Sequence, residues 1–231
     1  MSDRPTAIIT GASRGLGLAL ARELAGRGWR LVIDARTRDE LELAARELTG
    51  LTDVHALAGD VSDDWHRHAL VAAAGNRIDL LVNNASVLGP SPQPELGAYP
   101  LAELEQVYAV NVLAPLALVQ LVLPHMKSRG CIISVTSDAA REPYPGWGGY
   151  GSSKAALEQL TAILAAEHPD LRVYAVDPGD MRTRMHQEAF PGEDISDRPP
   201  PEESVPGLLA VIDGARASGR YVVRDLLPAR A

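Results

Sequence analysis

Seven short apolar runs alternate with amphipathic stretches along the chain, and few folds accept that order. The runs are Thr6–Thr10, Arg30–Ala35, Asp53–Ala58, Ile78–Val82, Cys131–Val135, Leu171–Val176 and Arg220–Val223. Each is four to six residues long and rich in Val, Ile and Leu, without strict apolar–polar alternation. Strands buried on both faces of a parallel sheet have this pattern. Helical periodicity occupies Gly15–Arg27, Arg38–Leu48, Asp63–Ala74, Leu101–Ser128 and Gly151–Glu167, with Asp63 after Ser62 as a cap. Parallel strands need crossovers and helices supply them, so the chain is expected to form a doubly wound α/β sheet. A length of 231 residues admits one large domain or two small ones. Seven strand–helix units use nearly all of it, which predicts a single domain over 1–231.

Charge and composition remove several functions. Thirty acids against 22 bases give a net charge of -8, which disfavours a broad grip on a nucleic-acid backbone. The lone cysteine, Cys131, leaves no disulfide framework and no cysteine-based zinc cluster. No apolar run approaches the roughly 18 residues that span a bilayer. The N-terminal MSDRPTAIITGAS has no extended hydrophobic signal core. A soluble, cytoplasmic protein without membrane attachment is the expectation. Two proline-rich stretches break the rhythm, Gly89–Pro100 with four prolines and Asp180–Pro206 with five. Both follow strand ends, where open α/β sheets place their ligands. They read as loops over a site, the second as a lid, with surface excursions as the other reading.

The turn after the first strand, TGASRGLG, places Gly11, Gly15 and Gly17 between strand and helix. Glycines there allow a tight turn and close approach of a pyrophosphate to the helix N-terminus. At the end of the second strand stands Asp34-Ala35-Arg36. An acid there would bind the ribose hydroxyls of NAD, whereas arginine accommodates the 2′-phosphate of NADP. Arg14 in the glycine turn is a second cation for that phosphate, so NADP(H) is favoured. The alternative leaves Arg36 solvated and gives the ribose to Asp34.

Tyr150 and Lys154 stand four apart in YGSSKAALEQL, on one helical face. With two lysines and six tyrosines in the chain, chance supplies such a pair only about 0.05 times. Ser137 precedes Tyr150 by thirteen residues, just beyond the fifth strand. A phenol beside an ammonium is expected to have its pKa drawn down from about 10 and to shuttle a proton. Serine would hydrogen-bond the same substrate oxygen. Asn111 lies four residues before Pro115, which cannot donate to its carbonyl. The freed carbonyl could hold a water linked to Lys154, or the proline could simply kink the helix.

These residues resemble the short-chain dehydrogenase/reductase family in its compact single-domain form, across nearly the whole chain and in the family's motif order. The resemblance implies a Rossmann-like sheet with helices on both faces. TGASRGLG, with Gly11, Ser13, Arg14, Gly15, Leu16 and Gly17, resembles the cofactor turn. Asp60-Val61 resembles the adenine-contacting segment, and Asn83-Asn84-Ala85 the motif that stabilises the sheet and lines the cofactor site. Asp177-Pro178-Gly179, with Met181 and Thr183, resembles the segment that holds the nicotinamide carboxamide. Asn111, Ser137, Tyr150 and Lys154 match the catalytic tetrad. By that likeness Tyr150 is the acid/base, Ser137 orients the substrate oxygen, and Asn111 holds a relay water. Lys154 would lower the tyrosine pKa and bind the nicotinamide ribose. Arg14 and Arg36 match NADP-preferring members, and Ala35 stands where NAD-preferring members have an acid. Ser86 departs from the family's glycine after Asn-Asn-Ala, Asp180 and Met181 depart from its small or branched apolar residue, and no extended tail follows Leu227.

Interconversion of a ketone or aldehyde with an alcohol is the expected activity. A non-catalytic dinucleotide sensor and an epimerase or dehydratase using the same tetrad are the alternatives. Tyr144, Trp147, Met185, His186 and Phe190 are expected to line the substrate side, from loop 138–149 and lid 180–206. Phe190 could instead pack the lid against the body. His186 has no partner at ligand spacing, so no metal is expected. Family members commonly associate through the helices that correspond to Leu101–Ser128 and Gly151–Glu167, and their wide apolar faces here (Leu113, Leu116, Leu118, Val119, Leu121 and Val122) point to a homo-dimer or homo-tetramer.

Overall fold

A computed structural model describes residues 4–214 and 216–227. The stretch after Leu227, where the sequence shows no extended tail, lies outside the described residues. Seven strands form one parallel sheet in the order β3-β2-β1-β4-β5-β6-β7. They are β1 Thr6–Ile9, β2 Arg30–Ala35, β3 Val54–Ala58, β4 Ile78–Asn83, β5 Met126–Val135, β6 Arg172–Asp177 and β7 Gly219–Val222. The order reverses between β1 and β4, and the crevice beyond their carboxyl ends is where such sheets bind ligands. The doubly wound, Rossmann-like single domain matches the expectation.

The continuous apolar runs have a direct explanation in the packing. Ala7 and Ile9 of β1, and Leu31 and Ile33 of β2, face one core layer, while Ile8 and Val32 face the other. On the first face lie α1 Gly15–Gly26, α2 Arg38–Thr49 and α8 Val205–Ile212. On the second lie α3 Asp64–Ala74 and α5 Ala114–Val122, through Leu70, Leu118 and Val122. Asp63 caps α3 by accepting from the Trp65 N–H at 2.8 Å. Cys131 is fully buried, and burial pushes its thiol up to about 12.

The long helical stretch over 101–128 is corrected in three ways. It opens as α4 Leu101–Tyr108, widens into a π turn over Ala109–Leu113, and resumes as α5. Pro115 has no N–H for the Asn111 carbonyl, and the chain absorbs the missing bond by bonding the Ala114 N–H to the Ala109 carbonyl. The helix then stops near Pro124, and Met126 already begins β5, five residues earlier than the apolar run suggested. Leu101–His125 is also long and apolar enough to cross a membrane by length and composition, contrary to the sequence reading. Half of its most apolar 18-residue stretch is buried in the fold, where Leu118 and Val122 are core residues.

The remaining helices are α6 Gly148–Glu167, α7 Arg184–Ala189 in the lid, and α9 Val223–Leu226. α6 starts three residues before the expected Gly151. α8 was not anticipated, because its eight residues VPGLLAVI are apolar all round and show no amphipathic stripe.

Candidate active site

A cleft of about 1220 Å³ opens over the carboxyl ends of β1, β2, β4, β5 and β6. Its floor begins at the turn between β1 and α1. Gly11 has φ +66°, and a Cβ there would come within 2.9 Å of the Ala85 Cα. Only glycine satisfies both the left-handed backbone and that approach. Arg14, just before α1, gives the helix no side-chain cap, so its first N–H groups are left for a ligand. Ser13, Arg14, Gly15 and Leu16 border the cleft. Gly17 does not. It packs behind the turn, where a Cβ would lie 2.5 Å from the Gly11 carbonyl oxygen and 2.6 Å from Asn84 Nδ2. Asn84 donates to the Thr10 and Gly11 carbonyls at 2.8 and 3.0 Å, which clips β4 to the turn.

Asp34 is not available to a ribose. Its Oδ1 accepts from the Gly11 N–H at 2.7 Å and its Oδ2 meets His66 Nε2 at 3.0 Å, with the carboxylate 1% exposed. Burial raises its pKa, against the pull of His66 and the Gly11 amide. Arg36 borders the cleft beyond Ala35, close enough to Asp60 to help hold that carboxylate down. Burial works against Arg36 there, and the Ser62 amide and hydroxyl work with it. Arg14 and Arg184 share Glu40, whose carboxyl the Arg184 hydrogen bond lowers first and the Arg14 charge assists. Val61, Ala85, Pro178, Gly179, Met181 and Thr183 complete this wall.

At the other end stand Ser137, Tyr150 and Lys154, all bordering the cleft. Burial drives the Tyr150 phenol up from its ordinary value; the Ser137 hydroxyl opposes this, and the Asp177 and Asp138 carboxylates add to it. The expected downward pull of Lys154 is absent. Its ammonium is turned to the Val135 carbonyl at 2.8 Å, 5.5 Å from the centre of the tyrosine ring, and burial lowers its own pKa to about 8. Asn111 lies beneath the cleft, 1% exposed. Its Oδ1 accepts from the Val87 N–H at 2.9 Å and the Ser86 hydroxyl at 3.0 Å, and its Nδ2 donates to the Val87 carbonyl and to Ser153. Ser86, the departure from the family glycine, is thus a partner of Asn111.

The aromatic residues converge. Trp147 meets Tyr144, Tyr150 and Phe190 with ring centres 6.2, 5.9 and 5.8 Å apart, and Phe190 stacks against His186 at 4.9 Å. Phe190 therefore both borders the cleft and fastens the lid to the body. Met185 packs with Tyr150 from the same lid helix. Ser91 Oγ donates to the Glu188 carbonyl at 2.7 Å, joining the two proline-rich loops.

A model of the short chain dehydrogenase family matches residues 5–194. The chain belongs to the short chain dehydrogenase family. It is 35% identical over 210 residues to the L-xylo-3-hexulose reductase of Hypocrea jecorina, covering 80% of this chain and 69% of that one. It is 36% identical over 195 residues to the 2-(R)-hydroxypropyl-CoM dehydrogenase of Xanthobacter autotrophicus, covering 78% and 76%. Its fold matches a short chain dehydrogenase from Shigella flexneri 2a complexed with NADP, with a TM-score of 0.88 at 26% identity, covering 97% and 98%.

Two polar groups of the site, Arg220 and Glu158, escaped the sequence reading. Arg220 on β7 donates to Glu158 at 2.7 Å, to Asp177 at 2.9 Å and to the Ser137 carbonyl at 3.4 Å. Asp177 in turn accepts the Gly179 N–H at 3.0 Å. One guanidinium thereby ties the serine, helix α6 and the Pro178-Gly179 turn together. Glu158 had a signal, since it follows Lys154 by one helical turn on the same face. Arg220, 66 residues beyond Lys154 on the last strand, had none.

Proposed function

We propose that this short-chain dehydrogenase is an NADP(H)-dependent reductase that interconverts a ketone or aldehyde with an alcohol. The observation that carries the reading is the meeting of Ser137, Tyr150 and Lys154 at one end of a cleft whose other end is a glycine-lined helix N-terminus. The residues present fit a dinucleotide: Gly11 leaves a cradle that a side chain would fill, and the first turn of α1 offers uncapped N–H groups. The nicotinamide would supply the hydride. Ser13, Gly15 and Leu16 would hold the pyrophosphate by main-chain donors, Asp60 and Val61 the adenine, and Pro178, Gly179 and Thr183 the carboxamide end. Arg36 and Arg14 would take the 2′-phosphate, a preference supported by the occupied oxygens of Asp34 and by NADP in the Shigella relative.

The same site can place a proton. A phenol raised by burial stays protonated near neutrality, which suits Tyr150 to donate to a carbonyl oxygen while Ser137 fixes that oxygen. Lys154, lowered to about 8, can pass a proton on within the physiological range. The Asn111 carbonyl, freed by Pro115, is the acceptor for a relay water. Homo-dimer or homo-tetramer formation belongs to the same proposal, supported by Leu113 and Ile163, 59% and 44% exposed near the start of α5 and on α6.

The test is a panel of ketones and aldehydes with NADPH, followed by NADPH oxidation and recovery of the alcohol. At least one carbonyl compound should be reduced with matching stoichiometry, and NADPH should bind roughly tenfold or more tighter than NADH. NADPH binding with no compound turned over would favour the sensor reading.

A further inference from the structure

We propose that Asp138 makes this cleft select a carbonyl or alcohol substrate bearing a cationic nitrogen near the reacting carbon, an amino ketone or amino alcohol. The inference rests on the carbonyl-reductase reading above and adds the substrate class.

Asp138 borders the cleft and follows Ser137 directly. Its Oδ1 accepts from the Ser137 hydroxyl at 2.9 Å and the Ala139 N–H at 2.8 Å, and its Oδ2 accepts from the Tyr144 hydroxyl at 3.0 Å. Three donors thus fix an exposed carboxylate at the mouth of the site, so no ordering cost falls on a ligand that meets it. The Ser137 hydroxyl has one proton, so on meeting a carbonyl oxygen it turns from Asp138 to that oxygen, and the carboxylate, still held by Ala139 and Tyr144, lies roughly 5–6 Å from it. A nitrogen on the carbon next to the reacting one falls in that interval.

The neighbouring cations are committed elsewhere. Arg141 is turned to Glu158 at 3.1 Å, and Arg220 is held by Glu158 and Asp177. Arg184 is held by Glu40 at 2.8 Å, and Arg182 donates to the Ser196 carbonyl at 3.2 Å. Among the described residues Asp138 makes no ion pair. A second carboxylate, Asp180, also borders the cleft; the Tyr144 phenol is raised by the hydrogen bond and charge of Asp138 first, then by burial, Glu142 and Asp180. His186 Nδ1 lies 3.8 Å from Asp180 Oδ1. The rings of Tyr144, Trp147 and Phe190 border the same cleft, and their π faces attract cations as well. A neutral substrate must strip water from Asp138 without return, and an anionic one is repelled; a cation is favoured on both counts.

The experiment compares three ketones on one skeleton at pH 6: 2-amino-1-phenylethanone, propiophenone and benzoylacetate, each with NADPH. The wild type should favour the amine over propiophenone in kcat/KM by about tenfold or more, with benzoylacetate last. In Asp138→Asn the ratio of amine to propiophenone should fall about tenfold, which cancels any intrinsic difference in carbonyl reactivity. In the wild type, raising the salt from about 0.02 to 0.5 M should raise KM severalfold for the amine and leave propiophenone unmoved. An unchanged ratio in Asp138→Asn, or equal salt effects on both ketones, overturns the role of Asp138. If none of the three is reduced, the carbonyl-reductase reading itself falls for this skeleton, and the inference with it.

Discussion

At one end of the cleft the available contacts are main-chain amides and guanidinium groups; at the other they are a phenol, a hydroxyl, carboxylates and aromatic rings. The glycine-turn end is built from residues close in sequence, Gly11 to Leu16, and braced from behind by Asp34 and Asn84. The tyrosine end is assembled from β5, α6, β7 and the lid, and held by side-chain networks centred on Arg220 and Trp147. The first end tolerates almost no change of shape, whereas the second depends on charges staying balanced. Substitutions that separate shape from charge should therefore act differently at the two ends.

The largest effect is expected from a side chain placed in the turn. Gly11→Val forces a β-branched residue to φ +66° against Ala85, and NADPH binding should weaken by about 100-fold or more in titration. At the opposite end Arg220→Met leaves Glu158 and Asp177 without their shared cation. Stability should fall by about 3 kcal/mol in denaturant melts, the usual cost of breaking a buried pair. Turnover should fall roughly tenfold while NADPH binding holds within about threefold, because the Ser137 main chain is released. The alkaline limb of the pH profile should also move up, since Asp177 raises Tyr150, and adding Asp177→Asn should bring it back.

Lys154 gives a smaller effect with a definite pH dependence. Its pKa in the folded protein, about 8, lies below the ordinary 10.5. Below pH 8 the folded state bears the full cost of the buried ammonium. Between 8 and 10.5 the unfolded chain holds the extra proton, so this group's contribution to stability rises with pH. Lys154→Met, which gives up the bond to the Val135 carbonyl, should stabilise the protein at pH 7 by on the order of 2 kcal/mol. That advantage should vanish near pH 10.5; Tyr150 titrates in both proteins and cancels from the difference. Smallest is Ser91→Ala, which unties the two proline-rich loops. One lost hydrogen bond is worth about 1 kcal/mol, and KM should rise only about two- to fivefold.

The contrast between the ends also explains what could be read from the sequence. The strands β1, β2, β4, β5 and β6 were legible because each splits its buried apolar side chains between two core layers, and the edge strands β3 and β7 showed through Val54, Leu57 and Tyr221, which pack only in part. The glycine turn was legible because its demands are local. Tyr150 and Lys154 were legible through helical spacing. Gly17 was misplaced on the cleft, since a glycine required for close packing behind a turn looks the same as one required in front of it. The alternative role of Asp34 as a ribose ligand stays open in the sequence because its partners, Gly11 and His66, lie 23 and 32 residues away. The Tyr150 phenol was expected to fall, because spacing predicts a nearby ammonium and says nothing of burial. The end of the helix before β5 was misjudged because Leu123 continues the apolar pattern while Pro124 breaks the backbone.

The central claim is that Tyr150 carries the proton at a site whose cofactor grip lies elsewhere. It is tested most directly by Tyr150→Phe, with NADPH affinity and carbonyl turnover measured on the same preparation. NADPH should bind within about threefold of the wild type while turnover falls by about 10²–10⁴-fold, the range for loss of a positioned acid. Turnover retained within about twofold in Tyr150→Phe, with NADPH still bound, would contradict the account.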